Sequence, residues 1–349
     1  MKFDEILTAA QQRGASDIHF SVAKPVMIRI DGSLMPLNDY VLMPQDTYNI
    51  FMSLLKPEQQ EWLKEKGEID FAYSLPSVGR FRLNVFRQRG SYAGALRLLP
   101  FSIPSPDKLG LPQCVVDMTN KKRGLVLVTG PTGSGKSTTL ASLINVINHK
   151  LPGHIITLED PIEYLHKSNV AIVNQREIGD DTMGYASALR AALRQDPDVI
   201  LLGEMRDLDT IATAVTAAET GHLVFSTLHT IGAASTIDRI VDVFPPHQQE
   251  QIRVQLATVL ECVVSQALLP TIQGGRCAAF EIMLANPAIR NLIREGKTFQ
   301  IPSMMQTNRK AGMITLDDSL YDLYADGKVE PDVALTFAQD YQYLSRKIG

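Results

Sequence analysis

The chain has 349 residues, 45% of them hydrophobic and 21% charged, and a formal net charge of −4 at pH 7. Such a length accommodates two globular domains with full cores, while the slight acidity excludes an overall basic field of the kind that holds duplex DNA. Cys114, Cys262 and Cys277 are odd in number and lack C-x-x-C spacing, which excludes a disulfide framework and a zinc site and leaves three buried reduced thiols as the expectation.

The segment Met1 to Leu7 carries acids where a secretory leader would be apolar, and no stretch is long and uncharged enough to span a bilayer, so a cytoplasmic protein is expected. Up to about Leu99 the pattern is that of a small α+β domain. It opens on an amphipathic helix, continues with the strand-like Pro25-Val26-Met27-Ile28-Arg29-Ile30 and an Asp31-Gly32 turn, and has a helix near Asp46 to Leu55. In Arg80-Phe81-Arg82-Leu83-Asn84-Val85-Phe86-Arg87 the apolar Phe81, Leu83 and Val85 face one side and arginines the other, predicting an edge or surface strand with a basic face. The run Leu99-Pro100-Phe101-Ser102-Ile103-Pro104-Ser105-Pro106, with Pro112 beyond it, cannot continue a regular element and reads as a linker. The predicted organisation is an N-terminal domain over 1–99, a linker over 100–117 and a second domain over 118–349.

From Gly124 onward, short apolar strands alternate with helical patterns. Leu125 to Thr129, Ile155 to Leu158, Val199 to Leu202 and Leu223 to Thr227 read as strands of a parallel sheet covered on both faces, a doubly wound α/β domain. Between them Ala186, Leu189, Ala192 and Leu193 recur at helical spacing, as do Ile211, Val215 and Ala218. Cys277 to Ile282 is a further strand, after which the chain turns helical to Gly349.

The first of these strands runs into Gly130-Pro131-Thr132-Gly133-Ser134-Gly135-Lys136-Ser137, a complete G-x-x-x-x-G-K-[ST] phosphate loop, and a helical pattern follows at once. The order is what triphosphate binding requires: backbone N–H groups at a helix start converge on the phosphates, and Gly133 and Gly135 let the chain wrap them closely. Lys136 then reaches the outer phosphates and Ser137 offers a hydroxyl to magnesium, so ATP and Mg²⁺ are the expected ligands. Thr132, Gly133, Ser134, Gly135, Lys136, Ser137 and Thr138 form the predicted nucleotide-binding set.

In open α/β sheets the ligand lies beyond the carboxyl ends of the strands, so the polar residues just after each strand are the ones to weigh. Glu204 closes an apolar strand where a carboxylate holds magnesium directly or through water; the competing reading is a helix-start acid ahead of Asp207. Glu159, Asp160 and Glu163 form a second acidic cluster, and a water attacking the γ-phosphate needs one carboxylate to orient it and take its proton. The residues alone do not choose among the three. His222 and His229 bracket the strand expected beside the phosphate-loop strand and suit a sensor of the γ-phosphate or of the acids, whereas His19 has no such context and is read as structural.

The phosphate loop, Thr157-Leu158-Glu159-Asp160-Pro161-Ile162-Glu163-Tyr164, the Asp196 to Asp207 stretch and Thr220 to Thr230 together resemble the Walker A, Asp box, Walker B and His box of the secretion ATPase superfamily. Within it, Ala288-Ile289-Arg290-Asn291-Leu292-Ile293 is similar to a signature of the type IV pilus retraction ATPases, and Gly14 to His19 extends the resemblance over nearly the whole chain. The resemblance implies a RecA-like P-loop ATPase domain with a smaller N-terminal PAS-like domain, and an ATPase motor for pilus retraction. It implies a homohexamer acting through an inner-membrane pilus platform protein, cytoplasmic at the inner face of the membrane, bound there only through partners and not to nucleic acid. It makes Glu163 the general base and Glu204 the metal-side carboxylate. Arg80, Arg82 and Arg97 match basic positions that such an N-terminal domain presents toward the nucleotide, and Arg123 is a further candidate. Extension and type II secretion ATPases usually carry a tetracysteine module and a longer N-terminal region that this chain cannot supply, which favours retraction. A nucleic-acid translocase is disfavoured by the charge balance, and a non-hydrolysing nucleotide-gated subunit by the intact acids. Asn286 and Pro287 predict an N-cap and N1 pair, after which Ile289, Leu292 and Ile293 share one helical face. That face is core or a coupling surface, and the resemblance favours coupling.

Overall fold

The structure, a computed structural model, describes residues 2–30, 32–76, 78–99 and 102–349. Asp31 of the expected turn and Pro100 and Phe101 of the expected linker lie outside the described residues. The chain divides into two compact units, Met1–Ser102 and Ile103–Gly349.

Strands of the first unit are β1 (Asp17–Phe20), β2 (Met27–Ile30), β3 (Ser33–Pro36), β4 (Glu68–Leu75), β5 (Gly79–Gln88) and β6 (Ser91–Leu98). They form one antiparallel sheet in the order β3-β2-β1-β6-β5-β4. The helices Phe3–Gln12, Pro44–Leu54 and Pro57–Lys66 contribute Leu7, Phe51 and Leu63 to the core, where they meet Ile18, Phe81, Leu83 and Val85. The alternation read in β5 is therefore real, but β5 is not an edge strand. It pairs with β4 on one side and β6 on the other, and a strand with one solvated face alternates wherever it sits in the sheet. Arg82 and Arg97 are direct cross-strand partners on the solvated face. Their mutual repulsion is offset by Asp70, 3.8 Å from Arg82 Nε, and Asp17, 3.0 Å from Arg97 Nε.

The second unit holds β7 (Gly124–Thr129), β8 (His154–Glu159), β9 (Ile172–Glu177), β10 (Val199–Leu202), β11 (Leu223–Leu228), β12 (Leu260–Pro270) and β13 (Arg276–Leu284). The order is β13-β12-β7-β11-β10-β8-β9, parallel throughout except for β13. Successive residues of the central strands enter opposite cores: Leu125, Leu127, Ile200 and Leu202 one, Val126, Val128, Val199 and Leu201 the other. This double burial is why those strands read as continuous apolar runs. Two strands escape the sequence reading. β9 is a polar edge strand, and β12 follows the helix Pro246–Val259 without an intervening glycine or proline to mark the change.

The expected linker over 100–117 belongs from Ile103 onward to the second unit. Pro106 starts the short helix Pro106–Leu109 and Pro112 precedes the helix Gln113–Val116, and Leu111 and Val115 are buried in the core. The C-terminal helices Leu316–Ala325, Pro331–Thr336 and Tyr341–Ile348 pack Leu320, Ala334 and Leu344 against Leu269 and Ala279. Only Cys262 of the three thiols is fully buried; Cys114 and Cys277 are half-buried, because each lies at the margin of its cluster.

Candidate active site

The phosphate loop leaves β7 at the carboxyl end of the sheet and closes on the start of the helix Lys136–Asn148. Its glycines are required by backbone geometry. Gly130, Gly133 and Gly135 have φ of 138°, 81° and 90°, and a Cβ on Gly130 would lie 2.3 Å from the Gln266 carbonyl oxygen. Lys136 is nearly buried and donates to the carbonyls of Gly130 at 2.9 Å and Pro131 at 3.1 Å. Burial pulls its pKa down, against the opposing charges of Glu163 and Glu204. Gln266 on β12 braces the loop: its amide nitrogen donates to the Ser134 carbonyl, and its oxygen accepts from Thr139 Oγ1 at 2.9 Å.

Around the loop a cavity of about 540 Å³ is lined by Thr132, Gly133, Gly135, Lys136, Ser137 and Thr138 on one wall. Glu159, Asp160, Glu163, Glu204 and His229 line it from the ends of β8, β10 and β11. Ser134, included in the predicted set, is turned inward, 3% exposed, and does not line the cavity.

Glu204 is flanked by Arg206 Nε at 2.7 Å and His229 Nε2 at 3.6 Å. The cap of the helix Leu208–Glu219 is Asp207, which accepts from Thr210 N at 2.8 Å, so the helix-start reading of Glu204 falls to its neighbour. Glu159 accepts from Thr157 Oγ1 at 2.6 Å and Gln175 Nε2 at 3.1 Å, and burial pushes its pKa up to about 6. Both bonds fall on Oε1 of Glu159, whereas Glu163 adjoins Tyr164, whose hydroxyl is 2.9 Å from Thr138 Oγ1. Tyr185, missed by sequence reasoning, lines the same cavity, and burial together with Glu204 raises its pKa.

The structure does not bring every predicted residue here. His222 precedes β11 at the opposite end of the strand, about 20 Å of extended chain from His229, and its Nδ1 lies 2.9 Å from the Ala217 carbonyl. The bracketing pair is therefore divided by strand direction: His229 meets the acids and His222 holds a turn. Arg123, just before β7, stands at that same far end. Arg80, Arg82 and Arg97 belong to the first unit. Arg206, Thr227, Leu268 and Arg276 line the cavity without having been singled out; the last two lie on β12 and at the start of β13, the pair whose first member went unread.

Ser137 and Glu204 share the cavity, and no group of three or more His, Cys, Asp or Glu among the described residues forms a self-sufficient metal site. Such a sparse donor set fits Mg²⁺, which takes most of its ligands from phosphates and water. A second cavity of about 420 Å³ shares Gly135, Thr138, Leu268 and Arg276 with the first and is walled by Leu109, Phe280 and Leu323.

The family model for type II/IV secretion system proteins matches residues 2–328. The chain is 47% identical over 334 residues to the type IV pilus retraction ATPase PilT of Pseudomonas aeruginosa, covering 96% of this chain and 97% of that protein. It is 48% identical over 320 residues to a twitching motility protein of Neisseria gonorrhoeae, with coverages of 91% and 86%. A crystal structure of the pilus retraction motor PilT with bound ADP matches with a TM-score of 0.94 at 52% identity, over 99% of each chain.

Proposed function

We propose, because the chain belongs to the type II/IV secretion system protein family, that it is the ATP-hydrolysing motor that retracts type IV pili. The observation that carries this reading is the convergence of the phosphate loop with Glu163, Glu204 and His229 in one cavity of the RecA-like unit. Lys136 exchanges its two carbonyl partners for the outer phosphates, a trade of neutral acceptors for charged ones that favours the bound state. The backbone of Gly133 and Gly135 wraps the phosphates. Ser137 and Glu204 would hold a divalent cation, which supplies positive charge to the phosphate oxygens. Glu163 orients water and accepts its proton, and His229 and Arg206 adjust Glu204 as the triphosphate is lost.

The second cavity takes the base and ribose between Leu109, Leu268 and Phe280, with Arg276 at the junction. Arg80, Arg82 and Arg97 are charges that the assembled homohexamer brings to the transferring phosphoryl group, and the ring pulls on the pilus through a platform protein in the inner membrane. The chain itself has no helix long and apolar enough to cross a membrane among the described residues. A strain lacking the protein should carry surplus pili that do not retract and should not twitch, and Lys136→Ala should not restore it. Loss of pili in that strain would make the protein an extension motor and overturn the reading. Normal twitching in that strain would assign it to an accessory role or to another filament.

A further inference from the structure

Beyond His229, the chain runs through Thr230 and Ile231 into the helix Ala233–Asp242, and the start of that helix is held by two residues from neighbouring strands. Gly232 N donates to Ser265 Oγ at 2.9 Å, and Ala233 N donates to Glu281 Oε1 at 2.6 Å. The second oxygen of Glu281 accepts from Leu316 N, the first residue of the helix Leu316–Ala325, at 3.3 Å. The side chain of Gln339 stands beside Glu281 and favours its charged form, and the Gln339 backbone N is held by Asp317 Oδ1 at 2.8 Å. One carboxylate, 5% exposed and without a lysine or arginine partner among the described residues, thus joins two helix starts beside the segment leading to the last helix.

A buried carboxylate without a cation is costly, and here the starts of two ten-residue helices offset part of that cost with one bond to each oxygen, although burial still raises its pKa. The arrangement needs an acceptor at both ends. An amide of the same shape accepts at one end only and would turn its NH₂ against a backbone N–H at the other. The clip stands four residues along the chain from His229, which no extended chain can separate from it by more than about 14 Å. None of the atoms it touches belongs to the cavity, so its influence on the reaction must pass through the segment it holds.

We infer that Glu281 is a positioning residue for hydrolysis: it fixes the His229 segment at the cavity, and its other oxygen makes the C-terminal helices the support for that segment. The inference rests on the ATPase reading, because turnover is its readout. In the full-length protein, Glu281→Gln should lower kcat by about 10- to 100-fold while KM for ATP and the affinity for ADP stay within about threefold. Gln339→Ala, which leaves both helix starts in place, should lower kcat several-fold with the same unchanged KM. A folded Glu281→Gln with normal kcat, or with kcat and ADP affinity falling together, overturns the inference. If Glu281→Gln does not fold, Gln339→Ala decides, and a normal kcat there overturns it. Absence of turnover in the unsubstituted protein would strike the ATPase reading instead.

Discussion

His166 lies two residues beyond Tyr164 in the segment that carries Glu163, and it makes the stability of that segment pH-dependent. Its backbone N donates to Gln175 Oε1 at 2.7 Å, but its ring is largely enclosed and Nδ1 has no hydrogen-bond partner. Burial alone pulls its pKa from 6.5 to about 4. The unfolded chain therefore binds a proton at a pH where the folded chain does not. The stability from the neutral ring is complete above pH 6.5 and is lost as the pH falls toward 4, an amount of about 3 kcal/mol. Glu159 acts oppositely in an overlapping window: its folded pKa of about 6 lies above 4.5, so stability falls as the pH rises from 4.5 to 6. Comparing the protein with His166→Leu cancels that second contribution. Urea unfolding monitored from pH 4 to 8 should show the two close to equal at pH 7.5, where the variant also loses an unsatisfied nitrogen. At pH 4 the variant should be more stable by about 3 kcal/mol. A difference that stays constant within about 0.5 kcal/mol across the range would refute the assignment of a buried neutral imidazole.

Glu163→Gln should preserve nucleotide binding while turnover drops by about 10² to 10⁴, and near-normal turnover would remove Glu163 as the base. Gly130→Ala places a methyl against the Gln266 carbonyl at a φ of 138°, so ATP binding should weaken and the melting temperature fall together; retention of both would show that the loop yields. Leu292 is 9% exposed within the larger core of the second unit, so Leu292→Ala should cost about 2–4 kcal/mol, and turnover and pilus retraction should decline in step with the folded fraction. Lost retraction with unchanged stability would instead restore the coupling surface that the retraction-ATPase resemblance favoured.

Glu281 and the Asn286-capped helix show where sequence reasoning stops. The cap is as expected, with Asn286 accepting from Ile289 N at 2.9 Å, because a cap is a contact within four residues. Whether the face of Ile289, Leu292 and Ile293 is core or surface depends on what packs against it. The structure buries it, and Arg290 bonds the Ala257 and Thr258 carbonyls and Glu261. Glu281 carries no sequence signal at all, since its partners Ala233 and Leu316 lie 48 and 35 positions away.

By itself the sequence determined what short-range physics controls. The phosphate loop was legible because strand, glycines, lysine and helix start must be contiguous to cradle a phosphate, and the parallel strands because burial on both faces leaves runs such as Val199-Ile200-Leu201-Leu202 wholly apolar. Only the tertiary structure decided which of His222 and His229 reaches Glu204, that Asp207 and not Glu204 caps the next helix, and that Gln266 and Arg276 stand beside the phosphate loop. The first of these follows from strand direction, the second from a hydrogen bond, and the third from the pairing of β12 with β7, more than 130 residues apart in sequence. A strand's pattern records which faces are buried but not which strand lies alongside, because many partners satisfy the same apolar face and the choice is made by the closure of the whole sheet.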